Sequence, residues 1–172
     1  HALDQVGLER ISRAVKHIRE QYPDTTADLG FRHFTLKEPT SMSVEKMEKF
    51  SPDENGLVIT NTVLEEFGIP TILATWLVRD GYGFTAPVGT VDFAGYIGYY
   101  MGKHLYLIDQ ELSNEAIAAI TEKFDTDGTF NPENVVLFGY SFKWTEMEAL
   151  KTNLARLKDT EKNLRINFDI RY

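Results

Sequence analysis

Apolar side chains recur at helical spacing over residues 3–22, where Leu8, Ile11, Val15 and Ile18 fall on one stripe and Arg10, Arg13, Lys16, Arg19 and Glu20 occupy other faces. The pattern predicts an amphipathic helix. Tyr22-Pro23-Asp24 ends it, because proline and the residue before it fit poorly into a continuing helix. Phe31 to Leu36 alternates apolar and polar residues, which predicts a strand with one buried face. From Lys37 to Gly56 the chain is polar and broken by Pro39, Pro52 and Asn55-Gly56, with a helical turn expected around Val44 to Phe50. If the chain divides, it divides here.

Beyond that stretch the periodicity is denser. Asn61 can cap a helix through Val63, Leu64 and Phe67, interrupted by Gly68-Ile69-Pro70 before a second apolar segment, Thr71 to Val78, which Asp80-Gly81 closes. Tyr82 to Asp109 reads as two or three short strands ending in Leu105-Tyr106-Leu107-Ile108. Ser113 stands at an N-cap, Glu115 lies in the first turn, and Ile117, Ile120 and Phe124 make the buried stripe of a helix ending near Asp125. Val135 to Phe138 is the continuous apolar run of a buried strand. Met147, Leu150, Leu154 and Leu157 mark a further helix starting near Trp144 or Thr145, and Leu164 to Ile170 alternates as a final strand. The class is therefore α/β of the α+β type, a mixed sheet packed with about four to five amphipathic helices.

At 172 residues the chain is long enough to bury roughly two-thirds of its unfolded surface in one domain without disulfides. It has no cysteine, which removes thiolate nucleophiles, thiolate metal sites and redox switches, and makes the cytoplasm the default expectation. Its longest apolar run, Ile69 to Val78, falls far short of the roughly 20 residues a membrane-spanning helix requires. His1-Ala2 resembles the remnant of a tag. A formal charge of -8 opposes autonomous binding to a phosphate backbone, although a local basic face can still meet DNA.

Candidate chemistry is sparse. Phe93-Ala94-Gly95-Tyr96-Ile97-Gly98 resembles the Phe-x-Gly-x-Gly loop that binds S-adenosylmethionine, but its spacing is wrong by one residue and bulky side chains separate the glycines, so tight turns between strands explain it better. Asp125-Thr126-Asp127-Gly128 lacks the third acidic ligand and closing glutamate of a calcium loop. Gly139-Tyr140-Ser141 lacks the second glycine of a nucleophile elbow, since Lys143 occupies that place. His17, His33 and His104 show no paired ligand spacing, and carboxylate pairs such as Glu65-Glu66 read as acidic surface. No catalytic, cofactor-binding or metal-binding residue is assigned. Two surfaces remain: Arg10, Arg13, Lys16 and Arg19 for DNA or an acidic partner, and Tyr96, Tyr99 and Tyr100 for an aromatic interface, each with a solvated face or core packing as its rival.

A resemblance adds to this reading. Glu9-Arg10-Ile11-Ser12-Arg13-Ala14, Asp28 to Leu36, Phe67 to Thr71, Trp76 to Gly83, Leu105 to Ile108 and Val136 to Phe142, in that order, are similar to modification subunits of type III restriction-modification systems, which methylate adenine at N6. Ile170-Arg171-Tyr172 suits the natural end of such a chain. The family's Asp-Pro-Pro-Tyr segment and a proper Phe-x-Gly-x-Gly loop are absent from this sequence. The resemblance therefore implies a non-catalytic C-terminal assembly and DNA-positioning module, with residues 1–55 as the trailing edge of the methyltransferase core and 56–172 as an appended domain. S-adenosylmethionine belongs, on this reading, to the full-length enzyme, as does DNA. A restriction and translocation subunit and a second modification subunit are the implied partners, and no membrane is. A stand-alone protein-binding domain and a small independent hydrolase or transferase stay open as alternatives.

Overall fold

A computed structural model describes residues 3–36, 38, 61–159 and 165–172. The chain separates into two compact units, 1–39 and 40–172. In the first, helix α1 (Leu3–Gln21) follows the predicted 3.6-residue pattern, yet none of its residues is buried. Phe31 to Leu36 is not the strand that its alternation predicts: these residues are irregular and all exposed. An alternating segment becomes a strand only when a neighbour takes up its backbone hydrogen bonds, and no described strand lies beside it. The turn expected around Val44 to Phe50 lies outside the described residues.

The second unit is a five-stranded mixed sheet between helices. After α2 (Asn61–Arg79) come β1 (Gly89–Phe93), β2 (Tyr96–Met101) and β3 (His104–Leu107), then α3 (Asn114–Thr126), β4 (Asn134–Phe138), α4 (Trp144–Ala155) with a 3₁₀ turn (Arg156–Asp159), and β5 (Asn167–Arg171). The strands lie in sequence order, β1 to β3 antiparallel and β3 to β5 parallel. Helix α2 is broken at Gly68, whose φ of 74° no ordinary side chain adopts easily, two residues before Pro70. The hairpin between β1 and β2 turns through Ala94 and Gly95, with φ of 55° and 94°, as a two-residue turn matched to strand twist requires. The Asp92 carboxylate accepts the Gly95 N–H at 2.6 Å.

Strand parity sorts the core into two layers. Phe93, Tyr96, Leu105, Leu107, Val135 and Leu137 face Ile117, Ile120 and Phe124 of α3 and Leu150 and Leu154 of α4. The alternate residues Tyr106, Ile108, Val136 and Phe138 face Ile72, Trp76 and Leu77 of α2. Parallel strands need crossover connections, and α3 and α4 supply them on one side of the sheet, leaving the other to α2. The Ser113 hydroxyl caps α3 by accepting the Ala116 N–H, as expected, and the Glu146 carboxylate accepts the Lys143 N–H at the start of α4.

Candidate functional site

The residues singled out for chemistry fall into structural roles. Gly98 is a packing position: a Cβ there would lie 2.7 Å from Phe93 and 3.1 Å from Leu105, so only glycine lets the rings close over β2. Asp127 ends α3. Its carboxylate accepts from Thr129 and pairs with Lys123 at 2.8 Å, contacts that hold it well below the usual carboxylate range. The Ser141 hydroxyl donates to the Ile108 carbonyl and so satisfies a backbone acceptor. His104 bonds through Nδ1 to the Tyr82 hydroxyl at 2.7 Å and stacks on Tyr106. Among the described residues no group of three metal-ligating side chains forms, and no helix is long and apolar enough to cross a membrane.

The basic residues of α1 are exposed, and Arg13 pairs with Glu9 at 2.7 Å while Lys16 approaches Glu20 at 3.9 Å. Such surface pairs contribute little stability. At 100° per residue, Arg10, Arg13, Lys16 and Arg19 fan over about half of the helix surface, with Arg19 bordering the apolar stripe, and do not form one line. That stripe is open, with Ile11 46% and Ile18 37% exposed. The charge of the chain is unevenly held: residues 40–172 carry twenty Asp and Glu against twelve Lys and Arg, so the first unit is neutral and the second bears the whole excess.

The three tyrosines of β2 do not share a surface. Tyr96 is buried, its hydroxyl donating to the Asp109 carbonyl at 2.9 Å, and burial pushes that hydroxyl's pKa far up. Tyr100 lies half-buried on the same side, against Phe130. Tyr99 points to the α2 side, half-buried.

One polar cluster was not visible in the sequence. The Asp80 carboxylate, at the end of α2, takes both terminal nitrogens of Arg171 on β5 at 2.8 and 2.9 Å and the Tyr106 hydroxyl at 2.7 Å. Arg171 also donates through Nε to Asp169 and lies over the Trp76 ring at 5.5 Å. Burial works against the Asp80 charge, but the bonds from Arg171 and Tyr106 outweigh it and hold the carboxyl below its ordinary range. A carboxylate with three such bonds is a clamp between helix and sheet. Among the described residues every buried side-chain polar atom has a partner.

The second unit thus has a core in two layers and a carboxylate that clamps α2 to the sheet. Residues 67–164, most of that unit, match the family described as Type III R-M EcoP15I C-terminal domain. The chain belongs to this family. It is 30% identical over 189 residues to the Type III restriction-modification enzyme StyLTI Mod subunit of Salmonella typhimurium, covering 95% of this chain and 29% of that protein. The EcoP15I Mod subunit of Escherichia coli is 32% identical over 155 residues, 84% of this chain and 21% of its own length, and the EcoPI Mod subunit of Escherichia phage P1 is 30% identical over 131, with 76% and 20% covered. The C-terminal-domain chain thus spans less than a third of the relatives it matches. The family match begins within α2, so α1 lies outside it, while the 95% coverage by the StyLTI subunit takes in at least the greater part of α1.

Proposed function

We propose that this chain is the non-catalytic C-terminal assembly module of a type III adenine methyltransferase, docking a neighbouring subunit of the restriction-modification complex. The observation that carries this reading is the family match over 67–164, in a unit whose buried polar side chains, among the described residues, are all paired. On this reading residues 1–55 belong to the trailing edge of the methyltransferase core, whose packing covers the open stripe of α1. DNA contact falls to Arg10, Arg13, Lys16 and Arg19, because the second unit's excess of acidic residues repels phosphate.

The direct test is size-exclusion chromatography with light scattering of the chain mixed with the restriction subunit encoded beside its gene. A shared peak is expected. Separate elution of two folded proteins would end the assembly reading. A second expectation concerns the cofactor, which this reading assigns to the full-length enzyme: calorimetric titration of the chain with S-adenosylmethionine gives no binding heat. Saturable heat would reinstate the loop from Phe93 to Gly98 as a cofactor site and favour the rival view of the chain as an independent transferase.

A further inference from the structure

We infer that the α2-side face of β1 and β2 is a docking strip for a basic amphipathic helix of the restriction subunit, an inference that rests on the assembly reading above. Five strands about 4.8 Å apart place the outer two roughly 19 Å from each other, whereas a helix with its side chains is about 10–12 Å across. The opposite face of this sheet is covered by two helices, α3 and α4. On the α2 side the buried residues of the sheet are Tyr106, Val136, Phe138 and Arg171 of β3, β4 and β5, with Ile108 just past β3. Toward β1 the cover thins. Tyr99 and Met101 are half-buried, Ile97 is 38% exposed, and Thr90 and Asp92, the cross-strand partners of Tyr99 and Ile97, are exposed. Both segments of α2 and the loop carrying Tyr82, Ala86 and Val88 pack against this cluster, so among the described residues the cover is thinnest over the row of Ile97, Tyr99 and Met101, whose backbone is already paired within the sheet.

Charge selects the occupant. Asp92 stands beside Ile97, and Asp109 acts on Tyr99, whose hydroxyl is pushed up by burial and then by that carboxylate. At the other end, beyond Met101, Lys103 is already paired with Glu133 at 2.6 Å. The strip is thus apolar along its β2 row, polar along β1 and acidic at one end, within a unit carrying twenty acidic residues against twelve basic ones. A helix that presents an apolar stripe flanked by lysine or arginine satisfies both features, and one with acidic flanks is repelled.

The test measures affinity between the restriction subunit and the chain carrying Ile97→Arg, Asp109→Lys or, as a control on the α3 and α4 side, Ile170→Arg. Ile97 and Ile170 are both partly exposed, so each variant keeps its fold, checked by circular dichroism. Ile97→Arg is expected to weaken binding at least about tenfold, since it places a charge in the apolar row against a cationic partner. Asp109→Lys slows association and reduces its salt dependence, and Ile170→Arg leaves affinity unchanged. Equal binding by all three variants and the unaltered chain overturns the strip while leaving the assembly reading standing. Failure of the unaltered chain to bind removes that reading and the strip with it. Self-association of the chain that Ile97→Arg abolishes would show that the face meets a second copy, and would also overturn the inference.

Discussion

Asp80→Ala lowers the stability of the domain by about 3–5 kcal/mol, the cost of leaving the two terminal nitrogens of a buried guanidinium unpaired while Asp169 stays on Nε. The side chains of Arg171 and Asp80 are only 6% and 9% exposed, so water cannot replace the lost partner. For a chain of this size the loss corresponds to a fall in Tm of roughly 10 °C. The double variant Asp80→Leu with Arg171→Met recovers most of it, because an apolar pair of similar volume removes both charges from the interior. Urea denaturation of the four proteins of this double-mutant cycle measures the coupling, and a single-variant loss below about 1 kcal/mol would mean that the clamp contributes nothing beyond an ordinary surface pair. The pH dependence has a defined sign. The folded state holds the Asp80 carboxyl below its unfolded pKa, so its contribution is present above the unfolded value of 3.8 and disappears as pH falls through the lower folded value. Asp80→Ala therefore flattens the acid limb of the stability curve below about pH 4.

The clamp also marks the limit of what periodicity conveys. Asp80 and Arg171 are 91 residues apart, and nothing local to either announces the other. Arg171 even sits at the end of a strand whose alternation makes it the third polar residue on its side, after Asn167 and Asp169, which reads as a solvated face. It is buried because α2 crosses above it, a fact of topology that no window of sequence contains. The apolar run of β4 and the capped stripe of α3 were legible because each depends on its own residues: four consecutive buried side chains, or Ser113 followed by Ile117, Ile120 and Phe124. Phe31 to Leu36 shows the converse. Its alternation is interrupted by the adjacent polar pair Arg32-His33, and a strand is a property of two segments, of which the second is missing among the described residues.

The tyrosines of β2 lie between these cases. Once a strand runs from Tyr96 to Met101, period two puts Tyr96 and Tyr100 on one side and Tyr99 on the other, so a single three-tyrosine surface conflicts with the strand itself. Which side stays open depends on what covers each face. Two helices cross over between parallel strands on one side, while the two segments of α2 and the loop carrying Ala86 pack against the other, where Ile97 is exposed and Tyr99 and Met101 are half-buried. The candidate interface thus moves from the tyrosines as a group to one row of β2, for a reason that lies in the connections between β3, β4 and β5.

Phe124→Ala removes about 3–5 kcal/mol by opening a cavity at the centre of the opposite layer. The ring is 1% exposed and meets Phe130 edge to face at 5.1 Å, so truncation loses both the transfer of its own surface and the contact that fixes its neighbour. Helix α3 is the crossover that brings β4 beside β3, and loosening it weakens the whole sheet instead of one margin. Urea denaturation is expected to show a lower midpoint with an unchanged slope, the mark of lost stability without a change in the surface exposed on unfolding. A cost below about 1 kcal/mol would mean that the layer repacks around the gap and that α3 is held elsewhere. Because Phe124 faces away from Ile97, the variant that remains folded at low temperature still binds the restriction subunit with unaltered affinity. Ile97→Arg does the reverse, sparing stability and losing binding, and this opposition separates a domain that assembles through a particular face from one that needs only to be folded.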